Sequence, residues 1–335
     1  MAQNVSYSNN DTLLESLVLH TLPDFGKNGD GIINNNLLLS YLKSNGRQDI
    51  VEGGLEFWSG VIKGENSNFK WQGHEDTMTA SLQDPLDRLR FPIKTFTGAQ
   101  VINKLHEAQN KGRAMVKDWA RTLVQQADST IKNSFNSAFW AATPGTDEPE
   151  SVPSLISATP TTGTIGGMNR AGNKHLQNTA YTTAVADIGS EAGIAAVNRQ
   201  KIRASITAND QPDLMIMDEE LYSGMVGYLA NLQRYRPNDT MTNLGFDTIK
   251  LGQATYSYEN TNVSGTNNSI TGGYVYGINS NYFAFKLLRD GNFKWADKFE
   301  RVGQTLNKAL YFWAFCNLTT NLPKAHFVMT NVSTT

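Results

Sequence analysis

One cysteine, Cys316, stands among 335 residues, so no intrachain disulfide can form and stability must come from packing or assembly. It sits in the apolar run ALYFWAFCNL, which suits a packed thiol better than a nucleophile. No stretch approaches the ~20 consecutive apolar residues of a membrane-spanning helix. The opening MAQNVSYSNNDTLLESLVLH lacks both the basic start and the unbroken apolar core of a signal peptide, so the chain reads as soluble, with no membrane partner. A surplus of positive charge is missing too. With a net charge of −2 and 18% charged residues there is no broad basic surface of the kind that dominates non-specific nucleic-acid binding.

Catalytic and metal-binding signatures are equally scarce. His20, His74, His106, His175 and His326 are scattered, and no two have the spacing that puts zinc ligands on one helical face. GKNGDGII, residues 26 to 33, resembles part of a calcium loop. With Gly31 as its sixth position, the first and twelfth fall on Gly26 and Leu37, so both end carboxylates are missing and a flexible turn is the better reading. Asp218, Glu219 and Glu220 are ordinary acids of a first helical turn. The run Gly163-Thr164-Ile165-Gly166-Gly167 lacks the lysine of a phosphate loop. No catalytic residue, cofactor site or metal site is expected, and no enzymatic activity.

What is present is a core-forming composition, 39% hydrophobic, and one long amphipathic stripe. Thr97-Gly98-Ala99-Gln100 has the form of a capping box. After it Val101, Leu105, Ala108, Gly112, Met115, Trp119, Leu123, Ala127, Ile131, Phe135 and Ala138 recur at three- and four-residue steps until Thr143-Pro144-Gly145. The spacing predicts a helix over 98–140, with Met115, Trp119, Leu123 and Phe135 in its core face. Gly, Ala, Trp and Phe in the stripe argue against a coiled-coil seam.

Residues 50–96 alternate short aromatic or β-branched pieces with Gly and Asn turns and predict an extended hairpin too polar to bury itself. Residues 146–164, rich in Ser, Thr and Pro, connect to a second region. There PDLMIM predicts a buried strand, with Asp218 capping the helix that follows. FDTIKLGQATYSYE and GGYVYGINSNYFAFKLL predict further strands, and LNKALYFWAFCNLTTNLPKAHFVM a long strand, a break at Pro323 and a short last strand. No internal repeat is visible.

In this order and spacing, from about residue 34 to 330, the chain resembles the major capsid proteins of tailed bacteriophages with the Hong Kong 97 fold. The resemblance is carried by NNNLLLSYLKSNG, EGGLEFWSGVIKGENSNFKWQGHEDTMTAS, the long helix, GTIGGMNR followed by Asn178, PDLMIMDEELY, GFDTIKLG, GYVYGINSNYF and ALYFWAFCNLTTNLPKAHFVMTN. It departs at His175-Leu176-Gln177-Asn178, where many relatives have aromatic residues.

The resemblance implies an α+β fold with an N-terminal arm (1–49), an extended loop (50–96), a peripheral domain with a spine helix (97–150 and 294–321, helix 98–140) and an axial domain (151–293 and 322–335). It implies that Phe57, Trp58, Phe69 and Trp71 in the extended loop become buried only against a neighbouring subunit. The implied function is a major capsid protein forming pentamers and hexamers of an icosahedral or prolate head shell around a phage genome. The shell would assemble in the host cytoplasm and reside in the virion. Implied partners are other copies of the chain, a scaffolding protein, the portal, a decoration protein and packaged DNA held non-specifically on the inner face. Rival readings are an encapsulin-type compartment shell and, from another class, a calcium-dependent or hydrolytic enzyme. Lys63 and Lys70 lie where some members of the fold carry a cross-linking lysine, but covalent cross-linking is not expected. The short, polar segment before the loop points to a separate scaffolding protein.

Overall fold

A computed structural model describes residues 36–334 except 65, 67, 76, 78, 79, 104, 106–112, 208, 232–240, 243–245, 260–269, 297 and 304–306, with the backbone alone at 113–121 and 231. The 26–33 turn and most of the expected arm therefore lie outside the described residues.

The described chain opens with helix α1 (Leu37–Ser44), whose N-cap Asn36 accepts from Leu39 N through its side chain. Strand β1 (Gln48–Val51) follows, then the hairpin strands β2 (Glu56–Ile62) and β3 (Leu86–Pro92), paired antiparallel from Glu56 opposite Pro92 to Ile62 opposite Leu86. Next comes β4 (Lys94–Asn103), and then the long helix α2 (Arg113–Trp140). After a one-turn helix at Val152–Leu155 come the small hairpin β5 (Thr164–Ile165) and β6 (Met168–Asn169), strand β7 (Thr179–Tyr181) and helix α3 (Glu191–Arg203). Strand β8 (Leu214–Asp218) runs straight into helix α4 (Glu219–Asn231). The remaining strands are β9 (Ile249–Leu251), β10 (Ala254–Glu259), β11 (Val275–Ile278), β12 (Phe283–Leu288), β13 (Lys294–Trp295), β14 (Glu300–Arg301), β15 (Asn307–Thr320) and β16 (Phe327–Met329).

Two six-stranded sheets organise the molecule. In the first the order is β1-β12-β15-β13, with β4 and β14 also pairing with β15; in the second it is β7-β16-β11-β8-β10-β9. The chain passes from the first sheet to the second by way of α2, between β4 and β7, and makes two short direct crossings, at 279–282 from β11 to β12 and at 321–326 from β15 to β16. Pro323 forces the second crossing, because it cannot continue a paired strand. β8 is buried along its whole length. Leu214 and Ile216 pack into a core shared with the first sheet, α1 and the end of α2, while Met215 and Met217 pack with α3 and α4. That alternation is the period-two geometry of a strand covered on both faces.

The long helix differs from the expected 98–140. Thr97-Gly98-Ala99-Gln100 is not a capping box but the middle of β4, which pairs antiparallel with β15 along all ten of its residues. Thr95, Thr97, Val101 and Ile102 are β-branched and suit that pairing, and a ladder of this length outweighs a local capping signal. Val101 is accordingly an exposed strand residue and not part of a helical stripe. The described helix of 28 residues spans about 42 Å at ~1.5 Å per residue.

Sheet membership also departs from the expected domain limits. β12 lies in the first sheet with β4 and β15, although 283–288 falls inside the expected axial range. GYVYGINSNYFAFKLL holds two strands on either side of a short turn at Ser280–Tyr282, and that turn is where the chain changes sheets. α1 is a buried part of the first core and β1 part of the first sheet, although α1 falls within the expected arm and β1 straddles the limit between the expected arm and loop.

Candidate assembly surface

The β2/β3 hairpin is two-faced because its side chains alternate. Phe57, Ser59 and Val61 of β2 and Leu89 and Phe91 of β3 point inward and are buried, while Glu56, Trp58, Gly60 and Ile62 of β2 and Leu86, Arg88 and Arg90 of β3 are exposed. Inward anchoring comes from the first core and from Lys286 Nζ on β12, which donates to Trp58 O at 2.8 Å. On the outer face the Arg88 guanidinium lies 5.3 Å from the centre of the Trp58 ring, a cation–π contact that holds the indole in place.

Beyond the paired strands the loop is held by polar contacts. Asn68 Oδ1 accepts from Ser81 N at 3.1 Å, its amide donates to Ser81 O at 2.7 Å, and Lys63 pairs with Asp84 at 3.1 Å and Asp87 at 3.7 Å. The hydrogen bond to Asp84 pushes the Lys63 ammonium above its ordinary range, so it stays a charged, solvated group. Of the thirteen large hydrophobic side chains exposed among the described residues, seven lie on the β2/β3 hairpin, its loop or the residue leading into it: Leu55, Trp58, Ile62, Phe69, Trp71, Leu82 and Leu86. Scattered exposed apolar residues are unremarkable, but a concentration on one hairpin is what a candidate contact surface requires.

The base of the hairpin is fixed from the other side by β5/β6. Gly166, at φ +53°, brings its backbone so close to β3 that an added Cβ would stand 2.7 Å from Leu89 Cβ, and its carbonyl accepts from Arg90 N at 3.0 Å. Arg170 follows β6 and is buried, donating to Ser154 O at 2.7 Å, Leu155 O at 3.0 Å and Asn178 Oδ1 at 3.0 Å. Burial lowers its pKa to about 10. Asn178 in turn accepts from Ser157 N at 3.0 Å and donates to Ser157 O at 2.9 Å, so the GTIGGMNR and HLQN stretches form one buried polar knot.

Of the expected loop contacts, Trp58, Phe69 and Trp71 are exposed, whereas Phe57 is only 2% exposed and needs no partner to be buried. The correction follows from strand alternation, which turns Phe57 and Trp58 to opposite faces. Of the expected helix core, Phe135 is buried, with ring centroids 5.0 Å from Phe96, 5.8 Å from Phe139 and 5.4 Å from Phe293, and Leu123 is half-buried. The side chains of Met115 and Trp119 lie outside the described residues. Sequence reasoning passed over Leu55, Ile62, Leu82 and Leu86, although period two counted along β2 from Trp58 would have found Ile62.

Other chemistry-bearing residues have structural posts. Asp218 Oδ1 accepts from Leu221 N at 2.7 Å as a helix cap, and its Oδ2 accepts from Gly273 N at 2.5 Å. His326 is buried between the two sheet crossings, Nδ1 accepting from Asn279 N at 3.1 Å and Nε2 lying 3.1 Å from Thr320 Oγ1, and burial pushes its pKa down to about 3. Burial pushes the Cys316 thiol up to about 12. Among the described residues no group of three or more His, Cys, Asp or Glu side chains is placed to hold a metal, and no helix is long and apolar enough to cross a membrane.

The two-sheet α+β architecture, with its long helix and two-faced hairpin, is a Hong Kong 97-type capsid fold, and the match covers 86% of the chain. The capsid asymmetric unit of cyanophage A-1(L) matches with a TM-score of 0.61 at 11% identity, over 86% of this chain and 91% of that one. The capsid of Myoviridae phage XM1 matches at 0.53 and 12% identity, over 86% and 90%. The capsid of a native GTA particle matches at 0.52 and 10% identity, over 87% and 90%. No family model and no curated protein matches the sequence, so the likeness is one of fold.

Proposed function

We propose that this chain is the major capsid protein of a tailed phage, a structural subunit and not an enzyme, which assembles into pentamers and hexamers of a head shell enclosing the genome. The observation that carries this reading is the cluster of exposed apolar side chains on the hairpin and its loop, set on a capsid-type fold. Trp58, Phe69, Trp71, Leu82 and Leu86 find no burial within their own chain, and in a shell each would be covered by a neighbouring copy. Modest contacts repeated over a closed symmetric shell sum to a stable particle without any single tight pair.

On this reading the first sheet with α2 is the peripheral domain, the second sheet the axial domain closing the capsomer centres, and the hairpin between β1 and β4 the extended loop. A scaffolding protein, the portal and a decoration protein are the expected partners, with DNA held weakly on the inner face. Assembly takes place in the host cytoplasm and the product is the virion.

Sedimentation of the purified full chain, compared with a variant carrying Phe69→Ser and Trp71→Ser, tests the reading. The wild type is expected to sediment as capsomers or larger and the variant to shift toward monomer with an unchanged circular dichroism spectrum. A wild type that stays monomeric at high concentration contradicts it.

A further inference from the structure

A cavity of about 330 Å³ lies between the start of α1, the later turns of α2 and the end of β10, with Asn36, Lys132, Asn136, Asp247, Tyr258 and Glu259 in its lining. Three side chains far apart in sequence form one directed chain there. Leu39 N donates to Asn36 Oδ1 at 3.0 Å, Asn36 Nδ2 donates to Asn136 Oδ1 at 2.7 Å, and Asn136 Nδ2 donates to Glu259 Oε1 at 2.7 Å. Its direction is set at the α1 end, because a backbone N–H can only donate, so each amide is oriented in turn and Glu259 Oε1 must accept.

No cation pairs with Glu259 among the described residues. Lys132 Nζ, in the same cavity, is held by Asp128 at 2.6 Å. Asp218, the register partner of Glu259 on β8, uses both carboxylate oxygens on Leu221 N and Gly273 N. Asp247 and Tyr258 complete the titratable groups lining the cavity, and α1 presents only Asn36 and Leu37 to it. Burial raises the Glu259 carboxyl to about 7, although the Asn136 hydrogen bond pulls the other way. A neutral carboxyl fills its place at no electrostatic cost. An ionised one gains by drawing water into the cavity and loosening the contact with α2.

We propose that Asn36, Asn136 and Glu259 form a proton-operated latch that ties α1 and α2 to the second sheet, closed when Glu259 is protonated and released when it ionises. The sign follows from the raised pKa: the holding effect is complete below the ordinary carboxylate range and is lost as pH rises through about 7. The latch stands apart from the shell reading, since it concerns how parts of a single chain are held together.

Hydrogen–deuterium exchange of the full chain between pH 5 and 8 tests it, read as the ratio of opening in residues 37–44 and 128–140 between the wild type and Glu259→Gln. Taking a ratio cancels the intrinsic pH dependence of exchange and every titration the two proteins share. It is expected to be only about fourfold at pH 5 and to rise to about three hundredfold at pH 8. Asn136→Ala is expected to open both segments at every pH. A ratio that stays flat overturns the latch. So does a Glu259→Gln protein that fails to fold, because the neutral isostere mimics the closed state.

Discussion

Arg170 illustrates how a single buried side chain fixes the segment whose Gly166 packs against β3. Its guanidinium satisfies two carbonyls and the Asn178 side chain that connect 151–178 to the base of the loop. Arg170→Met would leave those acceptors unpaired and should cost about 3 kcal/mol or more, seen as a lowered unfolding midpoint. His326 makes the opposite demand on pH from Glu259. Its folded pKa of about 3 lies below the ordinary value, so its contribution is present above about 6.5 and is lost as pH falls toward 3. Chemical denaturation across pH 6.5 to 4 should show a loss that His326→Gln lacks, with a limiting slope of about 1.4 kcal/mol per pH unit. Cys316, buried and held as a thiol, should resist alkylation until the protein unfolds.

Among the elements, those with one dominant local pattern were legible in the sequence. PDLMIM followed by Asp218 reads as a buried strand running into a capped helix, and β8 and α4 are that unit. The long last strand, the Pro323 break and β16 were legible for the same reason. β4 was not, because Thr97, Gln100 and Val101 satisfy a helix start and a strand equally well. Only β15, two hundred residues later in the chain, decides between them. The outer face of the hairpin was half legible: its aromatics stand out, but which of Phe57 and Trp58 faces solvent depends on how the hairpin docks. Phe135 tests the buried side of α2. Phe135→Ala should cost about 3–5 kcal/mol in a melting experiment, since the ring fills a packed aromatic cluster with Phe96, Phe139 and Phe293. Thr97→Ala, in contrast, should change stability little, as no cap is lost.

For the whole molecule, the two sheets with their shared core account for a folded subunit, and the hairpin accounts for why it would not remain alone. Two further outcomes belong to this scale. Mature particles should run as one band near 37.0 kDa on a denaturing gel, because Lys63 is an exposed, ion-paired ammonium and not a desolvated nucleophile. A ladder of linked subunits would count against that. Uniform shells are expected to require a separate scaffolding protein. The central claim is that copies of this chain build a shell, and electron microscopy of the purified full chain expressed alone tests it most directly. Capsomers, tubes or irregular shells that become uniform when a scaffolding partner is supplied are the predicted result; a field of dispersed single subunits at every concentration and salt would contradict it.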